Sequence, residues 1–262
     1  MTPNTEEGPS AVETPPAAPH SAAALPQLSA LGRSALQFAR EAEPPFLYAH
    51  SVRSYLFARA LAEAGGLTPG ADYDDELVLL GCVLHDVGLT AAASGHQRFE
   101  VDGADFAARF LRERGADEEA ARVVWKVVAL HTSEGIASRM GPEVAVAHDG
   151  IALDVLGHGR ERLPAAVLEQ VVAAYPRDGL AWAITDLIVD QALADPAKAG
   201  PLSFPGQVLR GHLPPGAVPG WHDLVRTSPW GDRPPAPLSA PGGAPQAPAD
   251  ARGTAAPSRP GA

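Results

Sequence analysis

The chain has one cysteine, two lysines and no long apolar run among its 262 residues. Each scarcity excludes something. A single cysteine, Cys82, rules out an internal disulfide framework, and its place inside an apolar stretch makes it a small core residue. Of 20 basic residues only Lys126 and Lys198 are lysine, the formal net charge is −11, and no basic run occurs. Binding to a nucleic-acid backbone is therefore disfavoured. No uncharged stretch of about 18 apolar residues exists, so no membrane span is expected. The N-terminus lacks the charged start and apolar core of a signal peptide, which makes the cytoplasm the expected location. Alternating apolar and polar residues are also missing, so nothing competes with a helical reading.

Composition divides the chain. Residues 1–28 are rich in Pro, Ala, Ser and Thr, and residues 232–262 hold eight of the 27 prolines. Neither end has enough large apolar residues to offset chain entropy, and both are expected to be disordered tails. Between them, residues 29–200 read as a helical domain and 201–231 as an irregular, proline-punctuated extension. Helical periodicity and stop signals predict helices over 46–64, about 75–87, 104–114, 118–133, 142–156, 164–175 and 180–194. The fold class is all-α, a bundle of about six or seven helices.

The stretch GCVLHDVGLT, residues 81–90, sets an imidazole and a carboxylate side by side in an apolar segment. Buried polar groups cost free energy unless something satisfies them. His85 and Asp86 are not alone in this. His50 lies on the apolar stripe of its helix, His131 follows Val124, Val127 and Val128 on another, and Asp154 shares a face with Val144, Ala147 and Ile151 on a fourth. Mixed nitrogen and oxygen donors of this kind suit zinc, iron, manganese or cobalt. A lone histidine on an apolar face is more often a satisfied core residue. Asp149 competes with Asp154 on its helix, and His148 and His158 look like plain helix and helix-end residues.

The order His50, His85-Asp86, His131, Asp154, on separate helices, resembles the HD superfamily of metal-dependent hydrolases. The resemblance covers about residues 45–160. It implies an all-α bundle in which His50, His85, Asp86 and Asp154 bind a divalent metal. RFEVDGADFAARFL (98–111) and AAYPRDGLAWAITDLIVDQAL (173–193) are similar to the cyanamide hydratase-like branch. In phosphodiesterase branches the motif often continues HDIGK, with a lysine near the phosphate. Leu89 stands at that position here.

The resemblance implies a divalent-metal-dependent hydrolase acting on a small molecule, a phosphomonoester or nucleotide-like compound. A hydratase of cyanamide or small nitriles on the same metal, and a ligand-binding HD domain without turnover, are the alternatives. A bound ion lowers the pKa of its water from 15.7 toward about 7. Asp86 then serves both metal and catalysis, and His131 is the candidate for proton transfer or substrate contact. His96, Arg98, Glu100 and Asp102 are candidates for a supporting layer around the metal ligands. The expected partner is a small-molecule substrate. Oligomeric state is not legible.

Overall fold

The computed structural model describes residues 22–231, and all regular structure in them is helical. The chain divides into two units after Val218. Among the described residues, the first holds nine α-helices: α1 (Ala30–Ala42), α2 (Pro45–Ala64), α3 (Asp75–Leu84), α4 (Phe99–Glu113), α5 (Glu118–Leu130), α6 (Pro142–Leu156), α7 (Ala165–Ala174), α8 (Leu180–Ala194) and α9 (Phe204–His212). The second holds α10 (Trp221–Arg226), started by Asp223 Oδ2 accepting from the Gly220 amide at 2.8 Å.

Helix α2 is the central element. Its residues from Ala49 to Ala58 are all buried, the polar His50, Ser51, Arg53 and Ser54 among them. Its most extensive packing is with α6, and α3 and α8 also pack against it. The α2–α6 approach depends on Gly150. A Cβ there would lie 2.2 Å from the Ser54 carbonyl oxygen and 2.5 Å from the Ala58 amide. Backbone cannot yield as a flexible side chain does. Gly150→Ala is expected to lower stability by about 1–3 kcal/mol, read as a fall in denaturation midpoint.

Three helix starts follow from the sequence. Asp74 caps α3 by accepting from Glu76 and Leu77 amides, Asp117 caps α5 through the Ala120 amide, and Pro142 opens α6. Several expectations need correction. The helix expected over 75–87 ends at Leu84, and a 3₁₀ turn, Val87–Leu89, follows. The helix expected over 118–133 ends at Leu130, and that expected from 104 begins at Phe99. Helix α1 was not anticipated. Ser29 caps it through the Gly32 amide, and its buried face is Gly32, Ala35, Leu36 and Ala39.

Residues 22–28, assigned to the N-terminal tail by composition, place Leu25 and Leu28 against the core. The extension over 201–231 is not irregular throughout, since it contains α9 and α10. Ser203 caps α9, with Pro205 in its first turn where a missing amide costs little. Leu209 and Val218 close a small second core with Val189, Ala192 and Ala199. The tail assignments for 1–21 and 232–262 lie outside the described residues. No described helix is long and apolar enough to cross a membrane.

Candidate metal centre

Two helix ends use the same device. His85 follows the last residue of α3, and its Nδ1 sits 2.7 Å from the Cys82 carbonyl oxygen. His131 follows the last residue of α5, and its Nδ1 sits 2.6 Å from the Val128 carbonyl oxygen. The final carbonyls of a helix lack intrahelical donors, so each ring satisfies one. A carbonyl only accepts, so Nδ1 must carry the proton. Each neutral ring then presents a bare lone pair on Nε2.

His50 reaches the same state by another route. It is fully buried in the middle of α2, and its Nδ1 lies 2.7 Å from Asp154 Oδ2. The Asp154 carboxylate also accepts from Arg53 Nε at 2.9 Å, Arg53 Nη2 at 2.8 Å and Arg177 Nη1 at 2.8 Å. Burial alone would raise its pKa. The His50 and Arg53 contacts outweigh that and hold the carboxyl below the usual range. It stays an acceptor, so His50 Nδ1 donates.

The consequence is a crowd of lone pairs. His50 Nε2 and His85 Nε2 face each other at 3.0 Å. Asp86 Oδ2 lies 3.5 Å from the first and 3.2 Å from the second, and is a buried oxygen without a hydrogen-bond partner. His131 Nε2 adds a fourth lone pair, 3.5 Å from Asp86 Oδ1. A proton on His85 can satisfy one of these contacts. Burial, the largest single influence, opposes that proton, but the Asp86 charge and hydrogen bond, the Cys82 carbonyl and the Asp154 charge together outweigh it and raise the His85 pKa. A cation satisfies His50, His85 and Asp86 together. Donors bound to one ion at about 2.0–2.2 Å sit roughly 3.0–3.5 Å apart at common bond angles, and the three observed spacings fall in that span. The residues present fit a divalent ion.

The remaining shifts favour a charged Asp86 and neutral His50 and His131. Burial would raise the Asp86 pKa, but His85 above all pulls it well below the carboxylate range. Burial lowers His50, and lowers His131 to about 4 with His85 adding to the effect.

A family model of the HD domain matches residues 47–173. This segment is an HD domain. HD domains are generally metal-dependent phosphohydrolases, and His50, His85 and Asp86 form a group able to hold a metal, with donor atoms all within 4.8 Å of one another. No curated protein matches the chain.

Within the HD domain, Asp154 departs from expectation. It does not join the three clustered donors but grips the far nitrogen of His50, because Arg53 and Arg177 draw its carboxylate to that side. Carboxylate support of a ligating histidine fixes ring orientation and raises basicity. Asp149 is a surface residue facing Arg162 at 3.5 Å. His96 points into solvent and pairs with Asp195 rather than supporting the cluster. Glu100 is fully buried and takes the Arg98 guanidinium and the Thr132 hydroxyl, one layer out from the donors. Asp102 accepts from the Gly95 and Gln97 amides and pairs with buried Lys198 at 2.5 Å, tying the 95–98 loop down away from the donors.

A cavity of about 240 Å³ opens from the four donor residues. His148 and His158, read from sequence as plain helix residues, both line it. His148 Nδ1 donates to the His131 carbonyl oxygen at 3.0 Å, bracing the turn that carries that ring. Glu43 was also missed. It caps the end of α1, buried, with Ser51 donating to it at 3.1 Å. Burial first, then the Asp86 charge, push its carboxyl well above the usual range.

Proposed function

We propose that this protein is a metal-dependent hydrolase that adds water to a small molecule at the His50, His85 and Asp86 cluster. The observation that carries the reading is the trio of lone pairs aimed at one point, with both outer histidine nitrogens already donating elsewhere. A divalent ion of the zinc, iron, manganese or cobalt kind supplies Lewis acidity and a more acidic water when bound there. The chain's own part is to hold His50 and His85 in one tautomer, through Asp154 and the Cys82 carbonyl. Asp86 contributes the negative charge that offsets the ion. The apolar surround keeps bulk water out and strengthens every charge interaction inside. His131, held by the Val128 carbonyl, offers only Nε2 and takes or returns a proton there.

The substrate reading that accompanies the HD domain is a phosphomonoester or nucleotide-like compound. A second reading, hydration of cyanamide or a small nitrile, is favoured by the likeness of residues 98–111 and 173–193 to the cyanamide hydratase-like branch, and a phosphodiester is disfavoured by Leu89. It stands where HDIGK-type motifs place a lysine, and it is buried. Metal analysis followed by a screen of phosphomonoesters, nucleotides, cyanamide and small nitriles tests both. A wild type that takes up no zinc, iron, manganese or cobalt would sink the proposal. His131→Ala separates the roles of that residue. As a proton or substrate group, its loss leaves metal stoichiometry intact while turnover falls about 10²–10⁴-fold. A drop of one ion per chain would show that it ligates instead.

A further inference from the structure

The cavity beyond the donors is built unevenly. Its inner end is His50, His85, Asp86 and His131, and its walls are mainly apolar, with Thr132, Glu134, His148 and His158 among them. Helix α6 contributes Ile151, Val155 and Leu156, and α8 contributes Ile184 and Ile188. Phe99 and Phe204 complete the lining, with Leu156 and Phe204 partly exposed at the rim.

No lysine or arginine is among the described residues that line it, and the only carboxylates there are Asp86 and Glu134. The cations nearby are spent. Arg53 is consumed by Asp154, Arg98 by Glu100 and Lys198 by Asp102, each carboxylate buried. A buried carboxylate without such a partner is strongly disfavoured, so none of these three cations is released to a ligand without leaving one unpaired. The position of the HDIGK lysine is filled by Leu89, which packs with Leu47, Phe99 and Ile188 in one apolar cluster. Size points the same way. A volume of about 240 Å³ lies below the roughly 300–1,000 Å³ of sites for drug-sized ligands and matches about eight waters.

We infer that the site takes a small uncharged substrate, with a polar end such as an amide or nitrile at the histidines and an apolar body against α6 and α8, rather than a phosphate ester. The inference rests on the hydrolase reading for the location of the reacting end. Asp86 and Glu134 already offset the charge of a divalent ion held there, so a dianionic phosphate would add charge that no lysine or arginine in the lining matches, while an alkyl chain would bury its methylenes on isoleucine and phenylalanine.

Calorimetric binding to the purified full-length chain tests it, with metal content measured on the same sample. The probes are hexanamide, acetamide, hexyl phosphate and inorganic phosphate. Hexanamide is expected to bind at least tenfold tighter than acetamide, and at least tenfold tighter than hexyl phosphate. Ile184→Arg, at a half-buried wall position, is expected to reverse the order of hexanamide and hexyl phosphate at unchanged metal content. Hexyl phosphate binding the wild type more tightly than hexanamide would overturn the inference, as would equal affinity for hexanamide and acetamide. A wild type without metal overturns the hydrolase reading alone. The hexanamide-to-acetamide ratio depends on the wall and is read on that sample too.

Discussion

His85→Ala is expected to strip the protein of its ion and leave a folded helical chain. The imidazole supplies one of three clustered donors, and its neighbours cannot move in to replace it. His50 is fixed by Asp154 and Asp86 by its own position beside the helix end. Loss of a residue that merely supports a ligand weakens metal affinity about 10–100-fold. Loss of the ligand itself should exceed that, with activity falling below detection. The fold should survive, because the deleted side chain makes one hydrogen bond, to the Cys82 carbonyl, worth about 1–3 kcal/mol when its partner is left buried. Elemental analysis and far-ultraviolet circular dichroism read the two effects separately. Full metal content in the variant would show that the ion sits elsewhere.

Asp154→Ala should do damage of another kind. Arg53 is fully buried, and two of its nitrogens depend on this carboxylate. Removing one partner of a buried ion pair costs about 3–5 kcal/mol. At roughly 2–4 °C per kcal/mol for a domain of this size, the melting temperature should fall by about 6–20 °C. The Asp154 carboxyl titrates below the ordinary range when folded, so the pair's contribution is complete above about pH 4 and is lost only as pH falls below that. His50 also loses its anchor, and metal affinity should drop about 10–100-fold. The double variant Arg53→Met with Asp154→Leu distinguishes the two effects. An apolar pair of similar bulk should recover most of the stability and none of the metal affinity. Recovery of both would show that Asp154 serves the fold alone.

Much of the bundle was legible because its long helices carry their own punctuation. Asp117, Pro142 and Gly157 mark ends that the structure keeps. Helix α1 was not, although Leu31, Ala35, Leu36, Phe38 and Ala39 recur at helical spacing and face the core, because it borders the Pro/Ala-rich segment that composition set apart. The His85-Asp86 pair was legible as a polar intrusion into an apolar run. What sequence could not convey is which ring nitrogen faces inward. That is decided by carbonyls three residues back and by Arg53, a residue the sequence reading passed over. A charged side chain inside an otherwise apolar helix was the available signal, since such a charge needs a buried partner. His148 escaped notice for a related reason. Its helix is apolar on nearly every side, so spacing alone did not say which side faces the cavity.

The HD domain ends at residue 173, yet Ile184, Ile188 and Phe204 of the cavity wall lie beyond it. Part of the cavity wall thus lies apart along the chain from His50, His85 and Asp86, while Phe99, Ile151, Val155 and Leu156 of that wall lie inside the matched segment. Substitutions in α8 and α9 can reshape the wall without touching His50, His85 or Asp86. In evolutionary terms, selectivity here is free to drift while the reactive centre stays fixed, and a library confined to residues 180–212 is the natural place to redirect what the protein accepts.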